Sequence, residues 1–209
     1  EFKDSILKLN DAMEYYKYDK DYFINNKILP LFENDISIKM AVCKNSKLET
    51  IKNDFNKVIS FLEIDELELL FMISHIDQKT LLYSMALKAI SQNSFEKYVD
   101  KFLQELLSFS INLRASDIHI EQYKDVILFK FRIDGRLKTF FAFYSEFFKL
   151  ISSYIKLIST LDMTQIRLPQ DGRFEINIQD KKIDFRVSII PTINGEKCVI
   201  RILNQNIID

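Results

Sequence analysis

Arginine is the side chain best placed to do chemistry here: all seven copies (Arg114, Arg132, Arg136, Arg167, Arg173, Arg186, Arg201) lie at or beyond position 114, while the first 113 residues carry positive charge on lysine alone. The planar arginine fork suits bidentate contact with carboxylate or phosphate, whereas lysine offers a solvated point charge. In the stretch 183–190, Ile183, Phe185, Val187 and Ile189 share one face, leaving Asp184, Arg186 and Ser188 on the other. Downstream, Cys198, Ile200 and Ile202 oppose Lys197, Val199 and Arg201. A two-residue turn at Asn194-Gly195 that pairs Ile193 with Glu196 places Arg201 opposite Ser188 and diagonal to Arg186, a separation of roughly 7–8 Å. Two guanidinium groups so close repel unless an anion or a carboxylate lies between them. Pro191 leaves room for a longer turn. The residues alone leave two accounts open: a site for a phosphate-like anion, or pairing with Asp184, Glu196 or a neighbour.

Other chemistry is poorly supplied. A nucleotide-cradling Walker A loop needs two glycines flanking four residues, followed by Lys and Ser or Thr. The only glycines are Gly135, Gly172 and Gly195, so neither that loop nor a dinucleotide-binding fingerprint is present. Gly195-Glu196-Lys197 is a lone triplet in a turn. His75 and His119 are single imidazoles without a second metal ligand at suitable spacing. Asp117 and Glu121 carry the spacing of an acid–base pair, but without an evident cleft they read as surface or salt-bridging groups. The aromatic run Phe140 to Phe148 has no interleaved basic residues, so it reads as core and interface rather than a nucleic-acid stacking platform. Cys43 and Cys198 are far apart and read as small buried hydrophobes.

The elements that must position these arginines follow from periodicity. Apolar residues make up 47% of 209 positions, enough for two modest cores. No apolar run reaches the ~18–20 residues of a membrane span, and the formal charge of -1 gives no general attraction to nucleic acid or anionic lipid. A soluble cytoplasmic protein is expected. In the first half, residues 4–18 read as a helix, Ile28–Phe32 and Ile36–Val42 as a hairpin, and Ser46 with Glu49 as the cap of a helix striped by Leu48, Ile51, Phe55, Val58 and Ile59. Asp65 with Glu68 caps a further helix, and Leu81 to Ile90 continues helical. Ser91–Ser94 marks a boundary. Beyond it come an amphipathic helix over 95–112, strands, a buried helix over 145–161, and tight turns at Asp134-Gly135, Asp171-Gly172 and Asn194-Gly195.

Four phrases in this half, RASDIHIE (114–121), FRIDGRL (131–137), LPQDGRF (168–174) and DFRVSIIPTINGEKCVIRIL (184–203), occur in an order and spacing that resemble the second N-terminal domain of the hexameric ATPases of type II secretion and type IV pilus assembly. The likeness covers about residues 95–205. More weakly, ILPLFENDISIKMAV resembles the opening of the first N-terminal domain of the same family.

The resemblance implies an α+β chain of two small domains, 1–92 and 93–209, the second a PAS-like antiparallel sheet with helices on one face. It implies that Arg186 and Arg201, with Arg173 as a secondary candidate, reach the nucleotide's terminal phosphate from an exposed face, at least one of them lacking a carboxylate partner. Arg132, Arg136 and Arg114 then read as structural or interdomain partners. ATP and magnesium would belong to the full-length protein, with no tightly bound cofactor and no ATP hydrolysis in this stretch alone, the catalytic domain lying beyond Asp209. The implied partners are an inner-membrane platform protein, through the first domain, and the chain's own or a neighbouring ATPase domain in a homo-hexamer. The implied location is cytoplasmic and peripheral to the inner membrane, with no nucleic acid bound. The alternative reading is a free-standing PAS-like ligand-sensing or protein-interaction module.

Overall fold

The computed structural model describes residues 20–49, 55, 57–91 and 95–203. The helix expected over 4–18 and boundary residues 92–94 lie outside them. After helix α1 (Lys20–Asn26), strands β1 (Ile28–Glu33) and β2 (Ser37–Val42) form the expected antiparallel hairpin. The Asn34 side-chain carbonyl shapes its turn, accepting from the backbone N–H groups of Ile36 (3.0 Å) and Ser37 (2.8 Å).

The helical stripe expected to run through Val58 and Ile59 is corrected: both belong to strand β3 (Val58–Glu63), which lies parallel to β2 with Ser37 opposite Val58. β-branched Val58 and Ile59 followed by Phe61 fit a pleated surface better than a helix turn. The result is a three-stranded mixed sheet ordered β1-β2-β3.

Asp65 caps helix α2 (Glu66–Ser74) as expected, its carboxylate accepting from the Leu67 N–H at 2.9 Å. Its supposed partner Glu68 reaches elsewhere, accepting from the Thr139 backbone N–H at 2.6 Å and from the Thr139 hydroxyl. Helices α3 (Ile76–Ser91) and α4 (Phe95–Asn112) follow. The expected stripe of α4, Val99, Phe102, Leu103, Leu106 and Leu107, is fully buried.

Strands β4 (Asp117–Gln122), β5 (Val126–Ile133) and β6 (Arg136–Tyr144), helix α5 (Phe147–Ile158), and strands β7 (Gln170–Ile178), β8 (Lys181–Thr192) and β9 (Gly195–Ile202) complete the described chain. They build a six-stranded antiparallel sheet ordered β6-β5-β4-β9-β8-β7. The α4 ring of Phe102 packs on Phe129 and Phe141 of the sheet and Phe147 of α5, with centroids 5.3, 5.8 and 4.9 Å away. Each buried phenylalanine stabilises the fold by about 1.5–3 kcal/mol through area removed from water, and truncating Phe129 to Ala costs about 3–5 kcal/mol once the cavity is included.

The turn at Asp134-Gly135 is as expected, both residues with positive φ (49° and 75°) between paired Ile133 and Arg136. Asp171-Gly172 is corrected: it lies inside β7. Glycine is required there by close approach, since a Cβ on Gly172 would sit 2.9 Å from the Ser159 carbonyl oxygen and 3.0 Å from the Leu161 side chain. The β8–β9 turn is also shifted by one residue, Thr192 pairing with Gly195 so that Ile193 and Asn194 form the turn.

The two sheets touch through β6. Tyr144 donates its hydroxyl to the Glu33 carbonyl at 2.5 Å, and Phe32 packs on the Tyr144 ring at 4.2 Å. Both cysteines are free and buried. Among the described residues no helix is long and apolar enough to cross a membrane.

Candidate functional site

The one-residue shift of the β8–β9 turn changes the geometry of the arginines. Arg201 stands directly opposite Arg186, not diagonal to it, and Arg186 stands directly opposite Arg173 on β7. On the other side of β9, Arg201 faces Asp117 of β4, which in turn faces Arg132 of β5. One straight row across five strands therefore reads Arg173, Arg186, Arg201, Asp117, Arg132. Neighbouring strands lie about 4.8 Å apart, so the row sets four guanidinium groups and one carboxylate side by side on one face. The opposite face carries the buried Phe174, Phe185, Ile200, Ile118 and Phe131, and their alternation with the row fixes which way the charges point.

Asp117 is the anchor. Its carboxylate, 5% exposed, accepts from the Arg201 Nε at 2.8 Å, from the Ser116 hydroxyl at 2.8 Å, and lies 3.4 Å from the Arg132 Nε. Burial pushes its pKa up, but the Arg201 and Ser116 hydrogen bonds and the two guanidinium charges together outweigh that and hold it below its ordinary value. Arg132 is further tied to the Gly135 carbonyl at 3.2 Å. Arg201 has a side chain 64% exposed. Arg186, 55% exposed, has only a long 3.8 Å contact with Asp171, whose carboxylate also accepts the Ser188 hydroxyl at 2.5 Å. Arg173 is exposed and forms no ion pair among the described residues. Asp117, Arg186, Ser188, Val199 and Arg201 line an open cleft of about 280 Å³.

The expectation that Arg186 or Arg201 lacks a carboxylate is corrected: each has one within 4 Å, Arg201 at hydrogen-bond distance and Arg186 beyond it. Neither arginine is buried. Asp117 and Arg132 were missed as members of the site because only the β4–β9 pairing, between segments about eighty residues apart, brings them to Arg201.

A second carboxylate on the same strand completes the face. Glu121 accepts from Lys130 and Lys197, both at 2.7 Å, and these bonds pull its pKa down to about 2 against the upward push of burial. Between the two carboxylates stands His119, 9% exposed, its Nε2 3.5 Å from an Arg132 nitrogen and its Nδ1 without a partner among the described residues. Burial first, then the charges of Lys197 and Arg132, depress its pKa, so the imidazole is neutral near pH 7. Among the described residues no cluster of three or more His, Cys, Asp or Glu could hold a metal. The arrangement is suited to hold an oxyanion.

Comparison with known proteins agrees with this region of the chain. The sequence profile of the family described as "Type II/IV secretion system protein" matches residues 91–209. The chain is 42% identical over 108 residues to a putative type II secretion system protein E of Escherichia coli, covering 52% of this chain and 22% of that protein. It is 39% identical over 106 residues to the type II secretion system protein E of Aeromonas hydrophila, covering 51% and 21% respectively. Against the type IV pilus assembly ATPase PilB of Myxococcus xanthus it is 40% identical over 109 residues, covering 52% and 19%. The match thus spans about a fifth of each relative's length. With more than half of its residues inside the family profile, this chain belongs to the type II/IV secretion system protein family.

Proposed function

We propose that this chain is the N-terminal regulatory and docking region of a hexameric ATPase motor driving type II secretion or assembly of a type IV pilus or DNA-uptake pseudopilus, and that its arginine row contacts the nucleotide's terminal phosphates at the motor's active site. The observation that carries the reading is the row itself: Arg173, Arg186 and Arg201 side by side across β7, β8 and β9, with an open cleft over two of them. Arg201 bonds Asp117 through one nitrogen, Arg186 has a single carboxylate contact at 3.8 Å and Arg173 has no ion pair among the described residues, so the three adjacent cations carry more positive charge than their partners offset where a triphosphate could sit. Relatives named as ATPases support the choice of ligand. In phosphoryl transfer the protein's task is chiefly positioning and charge stabilisation, and an arginine delivered from outside the catalytic domain stabilises charge on the transferring group. Magnesium would be held with the nucleotide by the ATPase domain, where it would help to neutralise the phosphate charge. The PAS-like second region would then deliver arginines, while residues 1–92 would recruit the motor to an inner-membrane platform protein and place it at the cytoplasmic side of that membrane. Its own or a neighbouring ATPase domain would be the surface the row meets.

The test is steady-state ATP turnover of the full-length motor carrying Arg186→Ala or Arg201→Ala, with thermal melts of the same variants in this chain. Lower turnover in variants that still unfold in one cooperative transition supports the reading; unchanged turnover in both variants sinks it. Deleting residues 1–92 should abolish recruitment to the platform, and retained recruitment would remove that part of the proposal.

One feature favours the alternative of a ligand-sensing module. A cavity of about 560 Å³, within the usual range for small-molecule sites, opens between α5, the 163–167 loop and the β8–β9 turn, with Phe148, Met163, Ile166 and Pro191 beside the buried Lys156–Glu196 ion pair. Native mass spectrometry of the purified chain decides it: a stoichiometric copurifying small molecule favours the sensor, and its absence favours the motor.

A further inference from the structure

An arginine that serves a distant phosphate must itself be held, because a free guanidinium on a four-bond stem samples many rotamers and loses about 2 kcal/mol of entropy on being fixed. Asp117 does this in a particular way. It bonds Arg201 through Nε, the inner nitrogen of the fork, at 2.8 Å, and it approaches Arg132 through the same inner nitrogen at 3.4 Å. A bidentate pair would consume two nitrogens of one guanidinium. Here Arg201 bonds Asp117 through Nε alone, which leaves its terminal nitrogens out of that bond, on a side chain 64% exposed that lines the cleft with Arg186 and Ser188. Asp117 is itself fixed by the Ser116 hydroxyl and by its place in the β4 ladder between β5 and β9.

We infer that Asp117 is a positioning residue, whose grip on Nε presents the terminal nitrogens of Arg201 to the phosphate-bearing ligand. The inference rests on the nucleotide-contact reading given above. It separates cleanly from simple charge. Asp117 is the one acid in the row, so removing its charge raises the positive potential of the cleft. Plain electrostatic attraction then predicts tighter ATP binding and equal or faster turnover, whereas positioning predicts slower turnover despite equal or tighter binding.

The experiment measures kcat and KM for ATP in the full-length motor with Asp117→Ala, Asp117→Asn and Arg201→Ala, alongside ¹⁵Nε–H NMR of arginine side chains in this chain. Asp117→Ala should lower kcat about tenfold with KM unchanged or lower, and Asp117→Asn, which keeps an acceptor oxygen at the same place, should lower it only about threefold. The Arg201 Nε–H signal should be protected from exchange in the parent chain and become fast-exchanging in Asp117→Ala. An unchanged kcat, or a raised KM alone, in a background where Arg201→Ala still slows turnover overturns the positioning role while leaving the functional reading standing. Inert Arg201→Ala and Arg186→Ala overturn both. Should Asp117→Ala fail to fold, the near-isosteric Asp117→Asn carries the same comparison, because an unchanged kcat with unchanged Nε–H exchange overturns the inference equally.

Discussion

Strand β4 holds two carboxylates four residues apart on one face, each set between two cations, and the two arrangements have opposite outcomes. Glu121 lies between lysines whose side chains are 18% and 31% exposed, and each ammonium spends its charge on the carboxylate. Asp117 lies between arginines that touch it through one nitrogen each, and Arg201 remains largely open to solvent. Lysine concentrates its charge at one atom, so pairing closes the site; arginine spreads it over three nitrogens, so pairing at one orients the rest. The lysine cluster is a brace, the arginine cluster a presented surface.

The sharpest way to break this contrast is to remove the presented arginines. Arg201→Ala or Arg186→Ala should reduce ATP turnover of the full-length motor by on the order of 10²-fold or more, below the 10³–10⁵ seen where such an arginine acts in a dry site. The melting temperature of this chain should stay within about 2 °C for Arg186→Ala, whose side chain is exposed and loosely paired, and fall by several degrees for Arg201→Ala, which leaves the nearly buried Asp117 carboxylate without its nearest partner.

The brace should behave in the opposite way. Glu121→Gln removes the charge from two charge-assisted hydrogen bonds and should lower stability by roughly 2 kcal/mol in urea unfolding, with turnover unaffected. The pH dependence follows from its depressed pKa. A carboxylate at about 2 in the folded protein against an ordinary 4.5 contributes stability that is fully present above pH 4.5 and disappears as pH falls towards 2. The Gln variant should lose that part of the acid transition, and an identical acid midpoint in parent and variant would count against the brace.

A lysine without a carboxylate partner among the described residues should show the smallest effect. Lys79 is 5% exposed, donates to the Met72 carbonyl and lies 4.8 Å over the Phe140 ring. Burial pushes its pKa well down, so folding must deprotonate or bury the amine at neutral pH, and stability rises with pH towards 10.5. Lys79→Met should raise stability near pH 7 by about 1 kcal/mol. A destabilised variant would mean that the amine holds the fold together where it lies.

How much of this was legible in the sequence depended on the range of the interaction. Alternation in Ile183–Ile190 and the stripe of Val99 to Leu107 are local signals, and both faces came out as expected. Arg173, Arg186 and Arg201 were singled out largely through motif resemblance, and the strand register sets them side by side. The stretch through Val58 and Ile59 was misread because its apolar spacing fits a helix as well as a strand, and only the parallel ladder to β2 decides between them. Asp171-Gly172 carries turn chemistry, yet contact with Ser159 explains that glycine. Glu68 fits a capping box but finds Thr139 instead, a partner 71 residues away. Asp117 could not be placed beside Arg201 at all without knowing that β4 and β9 are neighbours.

The two-residue turn of Ile193 and Asn194 makes chain length part of the site. Thr192 and Gly195 close the ladder directly, so β9 has no slack through which to absorb an inserted or deleted residue. Losing one residue between Gly195 and Arg201 would turn the guanidinium into the apolar interior beside Val187 and Ile118, and bring Ile200 or Ile202 out to the cleft. Descent with variable length should therefore be permitted in the loop after α5 and forbidden in this hairpin, where substitution is tolerated far more readily than a change in count.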